Sequence, residues 1–129
     1  MYQNRYNDQM DIGKHITVRF YSLPSGNEPV RDWLKSLPKR ERLTLGIDIK
    51  TVEFGWPVGL PVCRSLGNEL WEVRSRLNNR IGRVIFYISD GSMWLLHGFI
   101  KKQQKTSAAD LDIARKRKKE IQKALSKGK

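Results

Sequence analysis

One cysteine, two histidines and no long apolar run define this chain first by what it withholds. Cys63 alone closes no intramolecular disulfide and builds no structural metal site, so it reads as a small, semi-buried loop residue. His15 and His97 lie far apart, with no cysteine or carboxylate at ligand spacing, which argues against zinc. No stretch approaches the roughly 20 apolar residues that cross a bilayer. The first residues lack the basic-then-apolar order of a secretory signal. The expected compartment is therefore the cytoplasm, with no membrane partner. Glycine-rich phosphate loops, paired carboxylates for Mg²⁺ and serine nucleophile motifs are missing as well. No cofactor and no metal are expected.

Acidic residues are also scarce: 13 Asp and Glu face 25 Lys and Arg, a net charge of +12. The excess is uneven, because Lys101 to the end carries 11 basic and 3 acidic residues and so holds +8 of it. Such asymmetry points to a polyanionic partner, either nucleic acid or an acidic protein. A lipid surface fits less well, since this basic segment has no large aromatic residue to insert. Basic ends also serve as plain solubilising tails.

With 129 residues the chain holds one domain and one small core. Residues 1–15 are polar and aperiodic, a flexible leader before a single domain over 16–129. Ile16 to Tyr21 alternates like a strand. After a Pro24–Asn27 turn, Val30, Trp33, Leu34 and Leu37 form one helical stripe, with Asn27 as N-cap and Pro29 in the first turn. Residues 39–56 fit two patterns, and a helix buried on two sides is preferred: Leu43, Ile47 and Phe54 on one face, Leu45, Ile49, Val52 and Trp56 on the other. Gly55 to Cys63, with its prolines and glycines, reads as a loop. Leu70–Leu77, Arg80–Ser89 and Ser92–Lys101 read as an antiparallel meander, with Asn78-Asn79 and Asp90-Gly91 at the turns. Ser107 and Asp110 have capping-box spacing before a charged helix striped by Leu111, Ala114, Ile121 and Leu125. The order is β-α-α-β-β-β-α, an α+β fold with two N-terminal helices on one sheet face and a basic helix at the end.

Strand alternation places Glu72, Arg74 and Arg76 on one face, and Arg83, Ile85 and Tyr87 on one face of the next strand. If the hairpin pairs them, Arg74, Arg76, Arg83 and Tyr87 share a cationic surface, near the strand end at Lys101 and Lys102 with Lys105 beyond. Charged outer sheet faces are ordinary. Here, however, three arginines converge with one glutamate, and like charges on neighbouring strands repel unless an anion offsets them. Guanidinium forks suit phosphate. Tyr87 and Phe99 could stack on unpaired bases, or could belong to the core or its rim. Without a metal, phosphodiester chemistry is open to RNA, whose own 2′-OH attacks the adjacent phosphate. Fixed cations then stabilise the developing charge. Proton shuttles would come from Tyr87, His97, Glu72 or a lysine among Lys101, Lys102 and Lys105 with its pKa lowered by the arginines. His97 could equally be a packed strand residue.

The runs Leu70-Trp71-Glu72-Val73-Arg74, Arg83-Val84-Ile85-Phe86-Tyr87, Leu95-Leu96-His97-Gly98-Phe99-Ile100-Lys101-Lys102 and Lys105-Thr106 together resemble the phage-derived, HigB-like branch of the RelE/ParE toxin superfamily. The likeness spans about residues 16–125. It implies a RelE-like α+β fold, with a curved antiparallel sheet under two N-terminal helices, and it implies helix over residues 39–56. It further implies a toxin of a type II toxin–antitoxin system: a metal-independent, ribosome-dependent endoribonuclease acting on mRNA, silenced by a cognate helix-turn-helix antitoxin. By position, the family's strand arginines match Arg74, Arg76 and Arg83, and its lysine-rich strand end matches Lys101, Lys102 and Lys105. The identity of the base does not transfer. Ser107 stands where many relatives have proline, and the polar stretch before Ile16 is longer than usual.

Two other functions stay open at this point. ParE-like relatives inhibit DNA gyrase without cutting nucleic acid, and a plain nucleic-acid-binding module would use its basic last helix. The convergent Arg and Lys groups favour the nuclease. In that helix Arg115, Arg117 and Lys118 belong to an unbroken basic run that could follow ribosomal RNA, dock an acidic antitoxin or simply face solvent.

Overall fold

In the computed structural model, which describes residues 16–101 and 105–127, five strands form one mixed sheet and three helices cover it. The elements are β1 (Thr17–Phe20), α1 (Pro29–Ser36), α2 (Lys39–Gly55), β2 (Cys63–Gly67), β3 (Leu70–Leu77), β4 (Arg80–Ser89), β5 (Ser92–Lys101) and α3 (Ala108–Lys127). Strand order is β1-β5-β4-β3-β2. The expected leader over residues 1–15 lies outside the described residues, as does Lys102. Among the described residues, no helix is long and apolar enough to cross a membrane.

The meander forms as its turn residues dictate. Asp90 and Gly91 both take positive φ, 49° and 75°, as a tight two-residue hairpin requires. Two features depart from the sequence reading. β1 pairs parallel to β5, so the sheet is mixed rather than antiparallel. Its direction is set by the two-helix excursion that follows it, which hydrophobic alternation does not encode. The second departure is β2, which begins at Cys63, at the end of the expected loop, and pairs antiparallel with β3. Asn68 and Glu69, at φ 53° and 66°, turn the chain between them. Cys63 is correspondingly a buried strand residue, and burial is the main reason its thiol pKa rises to about 11.

The helices divide between the two faces. On one, Val30 of α1 and Leu45, Ile49 and Val52 of α2 pack on Val73, Val84, Phe86, Met93 and Leu95. Trp56 closes that layer edge-on to Trp71 and Phe86, at 5.0 and 5.6 Å. Trp33 lies directly on Gly98 of β5, where a Cβ would stand 2.3 Å from the indole Cε3; any side chain here would push α1 off the sheet. Polar ties fix α2 from its sides: Ser75 Oγ donates to Asp48 at 2.6 Å, and the Val18 amide donates to Glu53 at 2.8 Å. Burial of α2 on two sides is not observed. Leu43, Ile47 and Phe54 are 55%, 63% and 54% exposed, because the sheet covers only the Leu45–Ile49–Val52 stripe.

On the opposite face, α3 packs Ala114 and Ile121 against Leu70, Ile85, Tyr87, Leu96 and Phe99. The terminal helix is therefore an integral layer of the fold rather than an appended basic arm.

Candidate active site

The register of β3 with β4 sets Arg74 directly opposite Arg83 and Glu72 opposite Ile85, on the face that α3 covers. Arg64 of β2 lies opposite Glu72, and Phe99 of β5 lies opposite Arg83. Convergence of Arg74 and Arg83 with one glutamate is therefore realised, although their roles differ. Arg83 and Glu72 are both 0% exposed and meet at 3.2 Å. Arg64 Nη2 donates to the same Glu72 Oε1 at 3.4 Å, and Arg74 Nε stands 3.8 Å from it. The other carboxylate oxygen accepts from Thr106 Oγ1 at 2.6 Å. Burial holds the Arg83 guanidinium below its usual pKa; Glu72 opposes that shift, while Arg74 and Arg64 add to it. The groups that keep access to solvent are Arg74 and Arg64, 17% and 31% exposed, with the exposed Arg76 two residues beyond Arg74 on β3; Lys101 is on the same sheet face on β5, opposite Ile81.

A second carboxylate organises the neighbouring corner. Ser107 accepts from the Asp110 amide at 3.2 Å and donates to its carboxylate at 2.6 Å, so the capping box forms with aspartate in the glutamate role. The same carboxylate meets His97 Nε2 at 2.8 Å and Lys101 Nζ at 2.9 Å. The start of α3 is thereby tied to β5, and His97 is stacked on Phe99 with centroids 5.2 Å apart. Burial pushes the Asp110 pKa up, but hydrogen bonds from Ser107, Lys101 and His97 and the charge of Lys101 outweigh it, leaving about 2. Because this folded value lies below the ordinary 3.8, the linked stability is fully present above pH 4 and is lost as pH falls through about 2. Asp110→Asn is expected to remove on the order of 1–2 kcal/mol at neutral pH and to flatten the acid limb between pH 4 and 2. Urea titrations of both proteins across that range would show it, and parallel acid limbs would refute it.

Other residues singled out from the sequence are placed elsewhere. Tyr87 is buried under α3, accepts from Gln122 Nε2 at 3.4 Å, and has the Lys118 ammonium 5.5 Å from its ring. It lies four residues along β4 from Arg83, roughly 13 Å away. Arg117 donates to the Leu96 carbonyl at 2.8 Å, and Lys118 reaches the Asn68 carbonyl and Glu69. Both side chains dock α3 onto the sheet. Arg115 and Lys105 are exposed near the start of the helix, and Arg115 is 3.4 Å from Asp112. Arg64, Thr106 and Asp110 are the members the sequence reading did not place in the site. Arg64 sits in a strand too short to show alternation; its only cue is the Gly67-Asn68 turn that follows.

Among the described residues, no three His, Cys, Asp or Glu side chains converge as a metal ion would need. The chemistry on offer is a pair of partly exposed guanidinium groups, Arg64 and Arg74, of a kind suited to an anion such as phosphate, and a second carboxylate that holds His97 and Lys101. Residues 32–119 match the family described as phage-derived protein Gp49-like (DUF891). No curated protein matches the chain.

Proposed function

The chain belongs to the Gp49-like family of phage-derived proteins, a family related to RelE-type toxins of toxin–antitoxin systems, and from that premise we propose that it is a toxin that cuts messenger RNA on the ribosome, without a metal ion. The observation that carries the reading is the pairing of Arg74 with Arg83 in register, flanked by Arg64 and Lys101 on one sheet face. A toxin that only docks on a protein such as gyrase has no need of convergent phosphate ligands.

In the proposed reaction a ribose 2′-oxygen attacks the adjacent phosphorus and the P–O5′ bond breaks. One product end is a 2′,3′-cyclic phosphate and the other a 5′-hydroxyl. Arg74 and Arg64 offset charge on the phosphoryl oxygens as it develops. His97 and Lys101, both on Asp110, are the groups best placed to move protons. Lys102 and Lys105 follow Lys101 in the sequence and remain candidates for contact with the RNA, and Arg76 lies two residues beyond Arg74 on β3. Glu72 is 0% exposed, so it does not meet the RNA directly. Tyr87 is buried under α3 and lies four residues along β4 from Arg83, away from the exposed guanidinium groups of Arg64 and Arg74. Arg115 extends the basic surface along α3, where RNA or an acidic helix-turn-helix antitoxin would bind.

The test is 5′-end mapping of a purified messenger RNA after incubation with the protein, with and without translating ribosomes. Cuts bearing 5′-hydroxyl ends, seen only with ribosomes, are the expected result. Growth arrest on expression without any cut would instead favour gyrase inhibition or simple nucleic-acid binding.

A further inference from the structure

We propose that Glu72, held in place by the Thr106 hydroxyl, is the positioning residue that fixes the arginines of this site before substrate arrives; the inference rests on the RNA-cleavage reading. A carboxylate at the centre of a phosphate-binding surface is at first sight a misfit, because it repels the anion the surface would attract. Its placement removes the conflict. Glu72 is 0% exposed, so phosphate never meets it directly. Its Oε1 is shared by guanidinium groups from three successive strands: Arg64 on β2, Arg74 on its own strand β3, and Arg83 on β4. Its Oε2 takes the 2.6 Å hydrogen bond from Thr106, in the segment that leads into α3. Arg64 Nη2 also lies 3.5 Å from that hydroxyl, so Thr106 touches both the carboxylate and one of the cations it orients.

Arg74 and Arg83 are direct cross-strand partners, and like charges so placed repel. One carboxylate beneath them offsets part of that repulsion while leaving the cluster cationic. It also accepts from one side of the Arg64 and Arg83 guanidinium groups, so that their remaining N–H groups point in set directions, and holds Arg74 by charge at 3.8 Å. Orientation of this kind costs no reorganisation when the phosphoryl charge develops, which is where a fixed donor outperforms a mobile one. Thr106 matters because a carboxylate held at one oxygen alone is free to swing. The hydroxyl holds the second oxygen and ties the whole cluster to the start of the terminal helix.

Thr106→Val keeps the shape and removes the hydroxyl's two hydrogen bonds, to Glu72 and from Arg64. Its kcat in single-turnover cleavage is expected to fall about tenfold or more, with KM within about twofold of wild type. Thr106→Ser restores the hydroxyl and should restore kcat. An equal loss in the valine and serine variants would overturn the proposal, since it would reveal a packing role. A second measurement is independent of cleavage: side-chain NMR of the Arg64 and Arg83 guanidinium protons in the full chain. Held guanidinium groups give resolved Nη signals; these should merge through faster rotation in Thr106→Val and in Glu72→Gln. Signals that stay resolved in both variants would overturn the positioning role. If the wild-type protein cuts no RNA, the cleavage reading fails by itself, and the NMR result still decides what Glu72 does.

Discussion

Arg74→Ala is expected to lower the rate of RNA cleavage by about 10²–10³ while leaving the fold intact. Arg74 combines the two properties that a phosphate ligand needs here. It stands in register with Arg83 in the cationic cluster, and it keeps 17% of its side chain open to solvent. Removing it takes away charge where the phosphoryl oxygens would develop theirs, whereas Glu72 retains Arg64, Arg83 and Thr106 as partners. Stability should therefore change little, with the thermal midpoint within about 5 °C of wild type. Arg74→Lys restores the charge but not the planar fork, and should recover only part of the loss. The decisive comparison is kcat against KM on ribosome-bound messenger RNA. A rise in KM with kcat unchanged would mean that Arg74 only tethers RNA, because uniform binding raises affinity without speeding the chemical step. Unchanged cutting would remove this cluster from the reaction altogether.

Much of this site was legible because strand alternation is a strict geometric rule. Once Leu70–Leu77 and Arg80–Ser89 pair across a short turn, Glu72, Arg74 and Arg83 must share a face. Their depth was not legible. Alternation distinguishes two faces without telling which is covered, and the basic terminal helix gave little sign that it covers this one. Its narrow stripe, Ala114 and Ile121, is enough to seal Tyr87, while Arg117 donates to the Leu96 carbonyl of β5 and Lys118 to the Asn68 carbonyl of the β2–β3 turn. The same rule explains the failure at α2. Leu43 and Ile47 are as apolar as Leu45 and Ile49, so the sequence has no marker for which stripe finds the sheet. β2 and the parallel pairing of β1 escaped for a different reason. Both depend on contacts between segments distant in sequence, and short strands carry too few residues to declare a period.

The buried half of the cluster yields the largest stability effect. Arg83→Met is expected to destabilise the protein by about 3–5 kcal/mol, a thermal shift of ten degrees or more. Arg83 is fully buried, and its Nη1 lies 3.2 Å from a carboxylate that is fully buried too. Methionine fills much of the volume, so the loss would come from the charge left without its nearest buried partner rather than from a cavity. Loss of cleavage in this variant would accordingly say nothing about chemistry, which makes Arg74 rather than Arg83 the informative position for activity. The electrostatic origin can be isolated with a double-mutant cycle. Glu72→Gln alone should also be strongly destabilising, since it strands the buried guanidinium. Combined with Arg83→Met it removes both charges at once, and the pair should cost clearly less than the two single changes added together. Urea unfolding followed by tryptophan fluorescence is suited to the measurement, with four tryptophans in the chain and Trp56 packed edge-on to Trp71. Strict additivity would mean that Glu72 and Arg83 do not stabilise one another. The cluster would then owe its order to the sheet alone, and a guanidinium could sit beneath that surface only because the surrounding backbone holds it there.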